Sequence, residues 1–124
     1  MVNKFIRLNT VFKPPDEIAK KAIDLSREIA KNNEAVFVLE GVQFHPHITI
    51  YSPEYPEANL EKILMVVERI ADKTKQTTLD FQSIKSNQGS IVACFELSPE
   101  IKSLHEETVR KLNPFRAGHI REKY

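Results

Sequence analysis

The sequence has 124 residues, 41% hydrophobic and 28% charged, the profile of one small folded domain rather than a disordered chain. Its 18 Lys and Arg against 17 Asp and Glu leave a formal charge of +1, which argues against holding nucleic acid by bulk charge. One Cys excludes an internal disulfide framework and a four-cysteine zinc site.

The lone thiol suits a reducing compartment. Lys4 and Arg7 break the apolar run at the N-terminus, so no signal peptide is visible. No stretch nears the roughly 18 apolar residues that a membrane span needs. The expectation is a cytoplasmic chain with no membrane partner.

Phe5 to Phe12 reads as a first strand, with Ile6, Leu8, Thr10 and Phe12 as its better core face. Pro14-Pro15 stops it and opens a helix, where Asp16 and Glu17 complement the helix dipole. Ile18, Ala22, Leu25 and Ile29, with Ala19, Ile23 and Ala30 beside them, form its apolar stripe, and Asn32-Asn33 ends it. Ala35 to Leu39 is a short apolar run that reads as a buried strand. Gly41 turns the chain into a strand over Phe44 to Tyr51.

Ser52-Pro53 and Pro56 mark a loop. Asn59 is a suitable N-cap for a helix carrying Leu60, Ile63, Leu64, Val67, Ile70 and Ala71 on one face. Thr77 to Ile84 and Ile91 to Leu97 read as a hairpin turning at residues 85–90. Ser98-Pro99 caps a third helix with Ile101, Leu104, Thr108, Val109 and Leu112 inward, ended by Asn113-Pro114. The order is β-α-β-β-α-β-β-α. It predicts an α+β fold in one domain over 1–124, a mixed or antiparallel sheet with helices packed on it.

Phe44 to Tyr51 is the most informative stretch. A strand alternates its side chains with period two. Phe44, Pro46, Ile48 and Ile50 fall on an apolar face, and His45, His47, Thr49 and Tyr51 on a polar one. An imidazole takes or gives a proton near neutral pH. A hydroxyl two residues on, roughly 6.6 Å along the same face, can donate to a phosphate oxygen. His47-x-Thr49 is thus a compact acid/base and anion-binding unit, although a structural histidine on a strand is the commoner case. His45-x-His47 also has a spacing that metal sites use. Zinc needs further ligands, and Cys94, His105 and His119 have no diagnostic spacing, so no metal is expected.

Pro46-His47-Ile48-Thr49-Ile50-Tyr51 resembles the His-x-Thr-x signature of the two-histidine (2H) phosphoesterase superfamily, which includes 2′-5′ RNA ligase-like proteins and cyclic nucleotide phosphodiesterases. The order of elements around the motif is similar too, as is the helix holding Leu104-His105-Glu106. The resemblance implies a bilobal fold with one His-x-Thr from each half. One His acts as general base and the other as general acid, the Thr hydroxyls bind phosphate, and no metal or other cofactor is required. The implied partner is an RNA end or nucleotide carrying a 2′,3′-cyclic or 2′-5′ linked phosphate. His47 and Thr49 would be the catalytic pair. His45, Tyr51 and Arg7 are candidates to contact substrate, Tyr51 by stacking on a base and Arg7 by reaching a phosphate; solvated side chains are the alternative for both.

Only one His-x-Thr occurs. His105 reads as a helix-flank residue, and His119-Ile120-Arg121 has Arg where the motif has Thr. The expectation is a domain incomplete at its C-terminus, a binding remnant, or a chain whose partner subunit supplies the second His. An exposed sheet edge would gain from pairing two copies. The rival to catalysis is a non-catalytic module that binds a nucleotide or phosphate end.

Overall fold

The computed structural model describes residues 4–35, 38–87 and 89–121. The fold is α+β, with three α-helices and three two-stranded antiparallel sheets among the described residues. The chain divides into two compact units, Asn9–Ser52 and Met1–Leu8 with Pro53–Tyr124.

The predicted first strand is two strands, β1 (Phe5–Arg7) and β2 (Thr10–Phe12), which belong to different sheets. In the first unit, β2 pairs with β3 (Ile48–Tyr51), setting Val11 opposite Thr49 and Phe12 opposite Ile48. Between Thr10 and Val11 the register slips, because Thr10 faces Tyr51 and β3 carries one residue more. Beyond the ladder the Ser52 hydroxyl donates to the Asn9 side-chain oxygen.

Helix α1 (Asp16–Ala30) lies between these strands in sequence. Pro15 precedes its first turn, and Asp16 and Glu17 sit where the dipole favours them. At the other end the Asn33 side chain donates to the Ile29 carbonyl at 2.8 Å and closes the last turn. The covered stripe runs along Ala19, Ile23, Ser26 and Ala30, whereas Ile18 and Leu25 flank it, exposed. Ser26 lies on this stripe because its hydroxyl accepts the Leu39 amide at 3.0 Å, fastening the following segment to the helix.

Of the strand predicted over Ala35 to Leu39, Val36 and Phe37 lie outside the described residues, and Ala35, Val38 and Leu39 form no strand. The strand predicted from Phe44 begins only at Ile48. Pro46 accounts for the late start, since it offers no amide to a ladder.

In the second unit β1 pairs with β4 (Glu54–Pro56), placing Arg7 opposite Glu54. A 3-10 turn, Glu57–Asn59, leads into α2 (Leu60–Lys73). Asn59 does not cap that helix. Its side-chain amide instead donates to the Phe115 carbonyl at 2.8 Å. Ile63 and Ile70 are the buried residues of α2; Leu64 and Ala71, expected inward, are exposed.

The hairpin of β5 (Phe81–Asn87) and β6 (Ser90–Phe95) starts later and ends earlier than the sequence suggests, while both strands reach further into the turn. Gly89 turns it at φ +82°, a left-handed conformation that glycine adopts without strain. The hairpin joins no other described strand, so the single covered sheet is not formed, and Ile84 and Ile91 are exposed.

Helix α3 (Pro99–Leu112) matches its expected start: the Ser98 hydroxyl accepts the Ile101 amide at 3.2 Å, with Pro99 in the first turn. It packs on α2. Leu104, Thr108 and Leu112, with Tyr55 from β4 and Ile63 and Ile70 from α2, are the unit's buried residues of the core. A 3-10 turn, Asn113–Arg116, folds back against α3 and β4. No helix among the described residues is long and apolar enough to cross a membrane.

Candidate functional site

The motif residues lie at the entry to β3. Pro46 is buried, His47 exposed, Ile48 half-buried and Thr49 exposed. This is the alternation expected when one side of a chain segment faces the core and the other faces water. Thr49 sits across the ladder from Val11, so its hydroxyl stands on the strand with an apolar neighbour.

Hydrogen bonds define both imidazoles of this segment. His47 Nδ1 lies 2.7 Å from the His45 carbonyl oxygen. A carbonyl only accepts, so Nδ1 carries the proton and donates it. In the neutral ring Nε2 is then the unprotonated nitrogen. His45 repeats the pattern, donating from Nδ1 to the Pro46 carbonyl at 2.8 Å. Neither Nε2 has a hydrogen-bond partner among the described residues. An exposed imidazole with a lone pair outward and its other nitrogen anchored can accept a proton from a substrate group and later return it.

The five candidates from sequence are divided between the two units. His45, His47, Thr49 and Tyr51 share the unit Asn9–Ser52, whereas Arg7 belongs to the other unit, exposed on β1 opposite Glu54. Tyr51 is half-buried, and the extra residue in β3 falls between it and Thr49. The strict alternation that carries His47 and Thr49 along one side is broken before Tyr51. The backbone carbonyls of His45 and Pro46 are the groups that sequence reading passed over. Side-chain patterns do not reveal a carbonyl, although the His-Pro dipeptide was a visible cue.

His119, weighed as a degenerate second motif, has a different set of contacts. Its ring stacks on Phe5 with centroids 3.8 Å apart, and Nε2 lies 3.1 Å from Glu54 Oε1. Arg116 Nε donates to its carbonyl at 3.1 Å. These contacts fasten residues 116–119 to the β1–β4 ribbon. His105 is exposed on α3. The basic C-terminal residues also serve local contacts: Lys111 pairs with Glu107 at 2.7 Å and Arg116 reaches Asn113 at 3.3 Å. Among the described residues, no group of three or more His, Cys, Asp or Glu is placed to hold a metal ion. No protein-family model matches the chain, and no curated protein or solved structure does.

Proposed function

We propose that this chain is a two-histidine phosphoesterase-like protein that acts on a 2′,3′-cyclic or 2′-5′ linked phosphate of an RNA end or nucleotide, with His47 as the proton-transfer group and Thr49 as a phosphate donor. The observation that carries this reading is the exposed His47 Nε2, left unprotonated by the Nδ1 bond to the His45 carbonyl, two residues from the exposed Thr49. The two-lobed fold of that superfamily and a cytoplasmic setting belong to the same proposal.

On a cyclic phosphate, Nε2 takes a proton from the water that attacks phosphorus. The new P–O bond forms as one ring ester bond breaks. The Thr49 hydroxyl donates to a non-bridging oxygen where charge gathers. The leaving ribose oxygen takes its proton from solvent, since the sequence holds no second His-x-Thr. One positioned base contributes about 10²–10⁴ in rate, so turnover is slow by enzyme standards.

A second reading is a module that binds a phosphate end without turning it over. It is favoured by the single motif and by the engagement of His119 with Glu54 and Phe5. Incubation with a 2′,3′-cyclic nucleotide, beside titration with a 2′-phosphorylated nucleotide, separates the two. Catalysed ring opening supports the esterase. Saturable binding without ring opening supports the module, and neither binding nor turnover overturns both.

A further inference from the structure

The backbone around Pro46 does more than begin a strand. Proline restricts the residue before it to extended conformations, with ψ near +120 to +160°. The residue so restricted is His45, and its carbonyl is the one that accepts the His47 Nδ1 proton at 2.7 Å. Pro46 is itself buried, which holds the dipeptide in place. Its own carbonyl in turn accepts from His45 Nδ1 at 2.8 Å. Three consecutive residues thus form a short relay. Burial fixes the proline, the proline fixes the carbonyl before it, and that carbonyl fixes the tautomer of the next imidazole.

From this we infer that Pro46 is a positioning residue that sets which nitrogen of His47 is basic, through the conformation it imposes on His45. The inference gives the proposed phosphoesterase reaction its base and rests on that reading for its functional meaning. The tautomer itself is a property of the free protein. Without the anchored carbonyl, an exposed imidazole exchanges both nitrogens with water and has no fixed base. With it, the lone pair stays on Nε2, the nitrogen that points away from its own backbone. The wrong tautomer of a catalytic histidine is costly even where geometry survives. Holding the tautomer before substrate arrives removes that cost from the reaction.

Nitrogen-15 NMR of the histidine rings reads the tautomer directly, whether or not any substrate turns over. The wild-type chain is predicted to show His47 with protonated Nδ1 and unprotonated Nε2. Pro46→Ala removes the restraint and shifts His47 towards mixed tautomers. Because Pro46 is buried, His45→Gly gives an independent test: it loosens the same carbonyl while leaving the proline in place. His45→Ala keeps the restraint and is predicted to leave the His47 tautomer as it was. Circular dichroism identifies the folded variants for comparison. Where the wild type turns over a cyclic nucleotide, Pro46→Ala lowers kcat by roughly tenfold or more, with little change in KM. A wild-type His47 protonated mainly on Nε2, or a tautomer unmoved in folded Pro46→Ala and His45→Gly, overturns the inference. If the tautomer behaves as described and no phosphate ester is touched, the phosphoesterase reading alone fails.

Discussion

Two side chains carry the proposed chemistry, and both were readable in the same way. His47 and Thr49 stood out because a strand's period-two pattern separated them from Pro46 and Ile48, and the structure keeps them exposed while Pro46 is buried. Tyr51 was harder to place, because a one-residue slip in the β2–β3 register carries no signature in side-chain type. For Arg7 the sequence left the pairing open: a residue's position on a strand says nothing about which strand it pairs with, and Arg7 lies opposite Glu54. At this scale Thr49 gives the clearest prediction. Thr49→Val keeps the branched shape and removes the hydroxyl. A hydrogen bond to a charged group is worth about 1.5–3 kcal/mol, so phosphate-ester turnover or phosphate-end binding falls roughly ten- to hundredfold. A variant as active and as tightly binding as the wild type would remove Thr49 from the site.

At the scale of elements, the helices were more legible than the strands. Their signals are local: Pro14-Pro15 and Asp16 at the start of α1, Ser98-Pro99 at the start of α3. Asn59 shows the limit of such rules, since a tertiary bond to the Phe115 carbonyl takes its side chain away from the cap. The Ser98 cap is real, and its loss has a known scale. Ser98→Ala lowers stability by about 1 kcal/mol, read as a lower Tm and a lower denaturant midpoint. The far end of α3 carries a pH effect. Lys111 donates to Glu107 and, with its charge and those of Arg110 and Lys73, holds that carboxyl below the usual carboxylate range against the opposing effect of burial. A carboxyl lowered on folding stabilises the fold above its unfolded value and loses that effect as pH falls through the folded one. Stability measured against pH therefore contains a small acid-side decline that Lys111→Met reduces. An identical acid limb in both proteins would contradict this.

For the whole molecule, α+β composition was visible and the pairing of strands distant in sequence was not. Strands of three or four residues leave little pattern to read, and hydrogen-bond partners are chosen by contacts distant in sequence. Phe5 to Phe12 reads as one strand with a single better core face, yet the structure splits it between two ladders and two compact units. The β5–β6 hairpin was readable because its turn is local, whereas its isolation from other strands was not. What survives these differences is the short segment from His45 to Thr49, where local constraints suffice: a proline, a carbonyl, an imidazole and a hydroxyl. The most direct measurement is the rate of opening of a 2′,3′-cyclic nucleotide against pH, followed by phosphorus-31 NMR, for the wild type and His47→Ala. A single base and no second His-x-Thr predict catalysed opening by the wild type and a rate at least about a hundredfold lower in the variant. Equal rates in the two proteins across the pH range would contradict the account.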